Sequence, residues 1–396
     1  MERIARPSFR GSAFFSYGFR PFFLGAVLFA FAVVPAWLLI LAARFELHGP
    51  FAPVDWHAHE MLFGYGSAVL AGFLFTAVPN WTKRPPVKGL PLALLLALWI
   101  LGRLAVAGVI PLPPAPVLLI DASFLALVLA VIAKEIVAAQ NWRNLLVVLP
   151  ISLFLGADIL FHAEVQATGT SEFGRRLGFA TLVFLIMLIG GRIIPSFTRN
   201  WLTRRGPGPL PAALGWFDAL ALAVGAASQL VWVVTPVGAA TGVALLLAAI
   251  LHLARVARWR GWRTFASPLL TMLHVAYVFV PLGLAALAVS ALTGTVPLAV
   301  GLHLLGIGAI GGMTLAVMMR ATMGHTGRAL VAGPVLTVAF ALVGAAALIR
   351  ALAGTVVVAG VSGTSLAGLL WVAAFGLFAA RLAPSLVAPA RISTPA

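Results

Sequence analysis

The chain contains no cysteine and very few acidic residues. Ten Asp and Glu stand against 26 Lys and Arg, and charged residues make up only 9% of the 396 positions. The missing cysteines exclude disulfides, thiolate metal ligands, iron–sulfur clusters and covalently attached c-type haem. Any metal or haem in this protein must therefore be bound by histidine, carboxylate, methionine or backbone groups.

The scarcity of charge also defines the class of protein. Hydrophobic residues make up 62% of the chain and the mean hydropathy is +1.08, whereas a soluble domain carries about 25% charged residues. The apolar stretches are about 20 residues long, which is the length of a membrane-spanning helix. The strands of a membrane β-barrel are shorter and alternate in polarity. The sequence predicts an all-α, polytopic membrane bundle that forms a single domain over residues 1–396.

About twelve transmembrane helices are predicted, separated by short connections rich in proline and glycine. A basic segment at the start of the chain is followed by an apolar run that is too long for a signal-peptide core. This run is therefore expected to remain as the first helix. The predicted spans are 21–43, 57–78, 90–110, 116–138, 144–161, 177–197, 213–234, 237–255, 267–291, 297–319, 330–350 and 361–382.

The basic residues predict the orientation of the bundle. With a cytoplasmic N-terminus, twenty of the 26 Lys and Arg lie on the cytoplasmic side and four lie on the other, namely Arg44, Arg175, Arg176 and Arg350. Such a bias follows the positive-inside rule, so both termini are expected in the cytoplasm. The net charge of +16 is explained by this topology and by lipid headgroups, and no nucleic-acid partner is expected.

Histidines inside the apolar spans point to a cofactor. His57, His59 and Glu60 open the second helix at its outer end, His303 lies on the outer half of the tenth, and His274 lies on the inner half of the ninth. Ionisable side chains are costly within a bilayer and are usually retained for function. Imidazole is also the commonest metal ligand. The pattern predicts a metal or haem site within the bundle, with one outer and one inner group of polar residues.

The pair His57 and His59 allows three interpretations. Residues two apart on a regular helix point to nearly opposite faces, so only one of them could bind a given metal. An irregular first turn would instead let both converge. A third interpretation places a solvated pair at the membrane interface beside Trp56. Glu60 lies next to the imidazoles in sequence, and a carboxylate beside a metal-bound histidine commonly orients its ring.

Two arginines fall inside predicted spans, at positions 103 and 192. Arginine is suited to bidentate contacts with carboxylates, including haem propionates. Arg103 and Arg192 are therefore predicted cofactor-binding residues, although anchoring at the cytoplasmic face is the alternative for Arg192. The scarce acids Asp121, Asp158 and Asp218 are candidate partners for these charges, and the sequence does not pair them.

The remaining histidines are less specific. A single histidine in a bundle often only bonds a neighbouring helix, which is the alternative for His274 and His303. His325, near the cytoplasmic end of the tenth helix, is a weaker candidate metal ligand. His252 lies close to arginines and is expected at the interface, and His162 is expected in a loop.

Several separate strings stand out along the chain: Phe19-Arg20-Pro21-Phe22-Phe23, Trp56-His57-Ala58-His59-Glu60-Met61, the segment 73–81, Gly190-Gly191-Arg192-Ile193-Ile194-Pro195 and the segment 313–328. These strings resemble the NnrS family, and the resemblance runs over almost the whole chain. It implies a bacterial inner-membrane protein of about twelve helices that contains haem and copper and is linked to denitrification and to resistance to nitric oxide stress. The absence of cysteine agrees with haem b and a histidine-bound copper.

These observations together suggest a site on the outer half of the bundle. The hypothesis is that His57, His59 and His303 hold a metal centre, with His59 and Glu60 taking part in catalysis and Glu60 relaying protons. His274 is the next candidate, as a haem ligand or as part of an inner site. Expected partners are nitric oxide, the lipid bilayer and an unidentified electron donor, and the expected reaction is of the nitric oxide reductase type.

Two other classes of function remain open at this point. A proton-coupled secondary transporter would also have twelve helices and intramembrane arginine and aspartate residues, and it would contain no cofactor. A non-catalytic haem or nitric oxide sensor would bind its cofactor without turnover. Cofactor content and nitric oxide consumption distinguish these classes.

Overall fold

The twelve apolar segments form twelve helices. The computed structural model describes residues 11–390. Eleven segments within that range are helical and apolar enough to cross a membrane, and the twelfth, α3, is a shorter apolar helix of 17 residues. The helices are α1 Phe19–Leu41, α2 Pro53–Thr82, α3 Leu90–Val106, α4 Pro114–Ala138, α5 Val148–Thr168, α6 Phe173–Thr203, α7 Trp216–Val234, α8 Ala239–Ala257, α9 Pro268–Thr293, α10 Leu298–His325, α11 Gly333–Ala353 and α12 Gly363–Val387.

Most boundaries agree with the predicted spans to within about four residues, but α5, α6, α10 and α12 continue five to seven residues beyond their predicted ends. α3 ends four residues before the predicted position 110, where Gly108 has a left-handed φ of 72° that terminates the helix. A short antiparallel pair, Val357–Val358 and Val361–Ser362, connects α11 to α12 and was not predicted. The fold class of a polytopic helical membrane bundle is confirmed.

The helices close into one bundle with α2 near its centre. α1 packs along α12, so the first and last helices of the chain are neighbours, and α2 contacts α1, α4 and α6. Along an 18-residue apolar stretch of α2, 83% of the residues are buried, compared with 67% along the corresponding stretch of α10 and 61% along that of α6. Residues on these three helices are therefore those best shielded from lipid and water.

The same three helices each contain a π-helical segment. These segments are Glu60–Gly66 in α2, Ile186–Gly190 in α6 and Leu304–Gly311 in α10. A π segment is often found at a functional site, because it shifts the following side chains around the helix and frees backbone carbonyls. The Gly64 carbonyl accepts a hydrogen bond from Trp99 Nε1 at 2.9 Å. The Met187 carbonyl accepts one from Arg255 Nη1 at 2.9 Å.

The predicted orientation remains a prediction, because no membrane is part of the structure. Arg175, Arg176 and Arg350, which were predicted on the outer side, line one cavity and therefore lie at one end of the bundle. Both chain ends, including Arg3 and Arg391 of the charge count, lie outside the described residues.

Candidate functional site

Four buried side chains from three helices converge within the bundle. His59 of α2, Asp121 of α4, and Asp158 and His162 of α5 each offer one ligand atom, and these atoms all lie within 4.8 Å of one another. We call this group the four-ligand cluster. Asp158 and His162 are four residues apart on one helix and so share a face. Their helix brings half of the ligand set to His59.

The distances within the cluster are short. His59 Nε2 lies 3.0 Å from Asp121 Oδ2 and 3.1 Å from Asp158 Oδ1, and His162 Nε2 lies 3.1 Å from Asp121 Oδ2. Two imidazole nitrogens therefore face the same carboxylate oxygen. This donor set of two nitrogens and two carboxylates is of the kind that holds a divalent transition metal.

Glu60 and Arg103 orient the ligands from outside the cluster. Arg103 donates from Nη1 to Glu60 Oε1 at 2.7 Å, and from Nη2 to Asp121 Oδ1. Glu60 Oε1 also lies 3.4 Å from His59 Nδ1. When Nδ1 carries the proton and faces Glu60, the lone pair of Nε2 points into the cluster, which is the usual support of a metal-bound histidine. Arg103, predicted to bind a cofactor, instead pairs with Glu60 and Asp121.

The four-ligand cluster and its two neighbours, Glu60 and Arg103, carry an excess of negative charge that a cation would balance. Three carboxylates, Glu60, Asp121 and Asp158, face one guanidinium, that of Arg103, so the balance is two negative charges when both imidazoles are neutral. Uncompensated buried charge is strongly unfavourable. Asp158 Oδ2 is also buried without any hydrogen-bond partner among the described residues. A divalent cation would balance the charge and satisfy that oxygen.

Aromatic rings shield the cluster. Phe51, in the loop before α2, lies 4.8 Å from both His59 and His162, measured between ring centroids. Phe63 lies 5.2 Å and Phe161 5.1 Å from His59. His59 and His162 are only 0% and 1% exposed, so the cluster is closed to bulk water.

A cavity of about 480 Å³ lies on the other side of α2. His57, Met61 and Tyr65 of α2 line it, and His303 of α10 does the same. The predicted single centre of His57, His59 and His303 is therefore not assembled, because His59 faces the four-ligand cluster instead. The π segment starts only at Glu60, so the turn carrying both α2 histidines is regular and directs them to opposite faces.

The cavity wall is mainly apolar and carries the basic side chains of Arg175, Arg176 and Arg350. Apolar and aromatic walls with a few placed polar groups are typical of cofactor sites, which measure about 300–1,000 Å³. Arg175 is paired with Glu172 at 2.7 Å, and with Asp55 at 3.4 Å. Other lining residues are Val34, Trp37, Leu38, Val54, Ala58, Leu62, Arg176, Phe179, Trp232, Leu298, Ala299, Leu302, Gly306, Ile307, Ile310, Arg350, Thr364, Ala367, Gly368 and Trp371.

The two cavity histidines are held differently. His303 Nδ1 lies 2.7 Å from the Ala299 carbonyl, so it donates to that oxygen and leaves the lone pair on Nε2. His57 stacks on Trp37, with ring centroids 4.5 Å apart and an angle of 9° between the planes. His57 Nδ1 is buried and has no hydrogen-bond partner within residues 11–390.

A second buried polar network, which we call the inner network, lies apart from the four-ligand cluster. Arg255 Nε donates to Asp218 Oδ1 at 2.8 Å, and its Nη1 donates to the hydroxyl of Tyr277 at 2.9 Å. Tyr277 in turn lies 3.0 Å from His252 Nδ1. Gly191 leaves room for Arg255, because a Cβ there would overlap the guanidinium. His252 was expected at the interface and is fully buried, which corrects that expectation.

The other predicted site residues lie apart from both the four-ligand cluster and the cavity. His274 Nε2 lies 2.9 Å from Thr198 Oγ1, and its Nδ1 packs against the backbone at Gly261. His325 stacks on Tyr17 with ring centroids 5.8 Å apart. Arg192 is exposed on the outside of α6. Their proposed roles in binding haem or metal remain predictions.

Three members of the cluster were absent from the predicted ligand set. The sequence analysis took Asp121 and Asp158 as candidate partners for arginine and did not name them as ligands, and it expected His162 in a loop. α5 in fact continues to Thr168, so His162 is helical and 1% exposed. The spacing Asp158-x-x-x-His162 was the available signal, since residues four apart on a helix share a face.

The comparisons with known proteins identify the family of the chain. No curated protein matches the chain. The sequence model of the family described as NnrS protein matches residues 13–390, which is nearly the whole chain. The chain therefore belongs to the NnrS family.

Proposed function

We propose that this chain is a haem- and copper-containing membrane protein that acts on nitric oxide, and that it reduces nitric oxide to N2O or otherwise protects against nitrosative stress. The observation that carries the proposal is the buried four-ligand cluster, defined above as His59, Asp121, Asp158 and His162. Membership of the NnrS family supports the substrate. The bacterial inner membrane is the proposed location.

The four-ligand cluster fits copper. Imidazole suits copper, and a set of nitrogen and oxygen donors without sulfur is of the kind that Cu(II) accepts. The unpartnered Asp158 Oδ2 and the excess of two negative charges support a divalent cation there. Bound copper would supply Lewis acidity and a redox centre. Glu60 and Arg103 would hold His59 and Asp121 in place.

The cavity on the opposite face of α2 fits haem b. Its apolar walls suit a porphyrin, and His57 and His303 supply imidazoles. Arg350 lines the same cavity and forms no salt bridge within the described part of the chain, so it is available to a propionate. Bound haem would supply an iron for a small diatomic ligand. The arginines Arg103 and Arg192, predicted for this role from the sequence, are replaced in this proposal by Arg350.

The surroundings suit a small neutral substrate. Nitric oxide partitions into apolar regions and needs no hydrophilic channel through the bundle. Reduction of two nitric oxide molecules to N2O and water consumes two electrons and two protons. The electrons come from a separate redox partner, because no flavin or covalent haem motif is present in the sequence. Glu60, next to His59, is the carboxylate proposed to pass protons to the site.

The test is a cofactor assay followed by an activity assay on detergent-purified protein. We expect a b-type pyridine haemochrome, copper close to one per chain, and consumption of nitric oxide with formation of N2O after reduction. His59→Ala should lose the copper and the N2O formation, whereas His48→Ala, in an exposed loop, should keep both. A colourless, metal-free, folded protein would overturn the proposal in favour of a transporter. A coloured protein that binds nitric oxide without consuming it would indicate a sensor.

A further inference from the structure

The two cavity histidines have different support, and this bears on how the proposed haem is held. His303 Nδ1 is tied to the Ala299 carbonyl at 2.7 Å, one turn earlier on the same helix. This bond fixes both the tautomer and the ring orientation, with the Nε2 lone pair free. A metal-bound histidine almost always has such a partner on its other nitrogen. His303 therefore has the support expected of an iron ligand.

His57 has no such support. Its Nδ1 is buried without a partner among residues 11–390, and no carboxylate or carbonyl fixes its tautomer. The ring is held by the stack on Trp37, at 4.5 Å and 9°. Stacking fixes the plane of the ring but does not raise the basicity of a ring nitrogen. His57 is thus positioned in the cavity without the arrangement that favours coordination.

We propose that His303 is the only protein ligand of the haem iron in this cavity, and that His57 is an uncoordinated imidazole that donates a hydrogen bond to the bound substrate. The proposal rests on the haem site proposed above. A neutral imidazole has one N–H. Because Nδ1 is buried without an acceptor, the tautomer with Nε2–H places that donor where a molecule in the cavity can accept it.

Binding of the haem iron by one protein ligand instead of two would have a functional consequence. If His303 alone held the haem iron, the iron would keep a position for a diatomic ligand, whereas a second imidazole from His57 would occupy that position. The cavity itself supplies the space for that ligand, since it measures about 480 Å³ and is lined in part by Gly306 of α10, which has no side chain.

The experiment compares His303→Gly, His57→Gln and the control His48→Ala as full-length proteins in detergent. Haem content is measured by pyridine haemochrome, and the spin state of the oxidised and reduced iron by EPR and magnetic circular dichroism. We expect high-spin haem in the wild type and in His57→Gln, with unchanged haem content. His303→Gly should lose haem by at least about tenfold, and imidazole added to the medium should restore it.

Each outcome decides the proposal. Low-spin, six-coordinate iron in the wild type, whether through His57 or Met61, would overturn it. Loss of haem from His57→Gln to the same extent as from His303→Gly would do the same. Rescue of His303→Gly by imidazole shows that this variant folds. A wild-type protein that binds no haem at all would instead overturn the proposed function on which this inference rests.

Discussion

His57 and His59 lie two residues apart on α2 and face two different sites. His59 Nε2 lies 3.0 Å from Asp121 Oδ2 in the four-ligand cluster, whereas His57 lines the cavity and stacks on Trp37. Side chains two apart on a helix project in nearly opposite directions. α2 therefore forms a wall between the two proposed cofactor sites, and each site should be removable without loss of the other.

The first prediction concerns the metal of the four-ligand cluster. Asp158→Asn removes a charged ligand while keeping the shape of the side chain, so the bound metal should fall by at least about tenfold. Haem content should stay unchanged, because the cavity lies on the other face of α2. Elemental analysis and pyridine haemochrome on one sample measure both. Glu46→Gln, at an exposed position, is the matched control; equal metal in both variants would contradict the ligand assignment.

The second prediction concerns the support of His59 by Glu60. Glu60→Gln keeps an oxygen that can accept from Arg103 but removes the negative charge beside His59 Nδ1. Metal affinity should fall about 10- to 100-fold, which is the usual effect of losing such a partner. Competition with a chelator of known affinity measures the change. An unchanged affinity would show that Glu60 does not act through His59.

The third prediction distinguishes two arginines. Arg350 lines the cavity and Arg192 is exposed on α6. Arg350→Gln should weaken haem retention by about 10- to 150-fold, because a charge-assisted hydrogen bond contributes on the order of 1.5–3 kcal/mol. Arg192→Gln should retain haem like the wild type. Haem loss to apomyoglobin over time measures both, and the reverse ranking would restore the role for Arg192 predicted from the sequence.

The fourth prediction concerns the inner network. Asp218→Asn leaves the guanidinium of Arg255 buried without its carboxylate, and breaking a buried pair in this way typically costs about 3–5 kcal/mol. Thermal unfolding in detergent should show a clear drop in midpoint, while the exposed Lys134→Gln should unfold like the wild type. Both variants should keep the metal of the four-ligand cluster, since Asp218 lies in the inner network. Loss of that metal from folded Asp218→Asn would show that the two networks are coupled.

The local part of the site could be predicted from the sequence. The placement of His57, His59 and Glu60 near the start of α2, and of His303 at the same end of the bundle, followed from hydropathy and charge. The opposite directions of His57 and His59 were only one of three interpretations of the sequence, the one expected for a regular helix; the hypothesis adopted from the sequence placed both residues at one metal centre. What could not be predicted is that Asp121 would meet His59, because that contact joins residues from two separate helices.

The sequence by itself determined the membrane class, the twelve helices and the type of ligand. A bilayer requires long apolar segments whose backbone bonds are satisfied internally, and a chain without cysteine offers only nitrogen, oxygen and thioether donors. The tertiary structure decided which helix faces meet. Packing of α2 against α4 and α5 paired His59 with Asp121 and Asp158, and it left His57 with His303 across a cavity. Contacts between distant segments depend on the packing of the whole bundle, so no local pattern in the sequence specifies them.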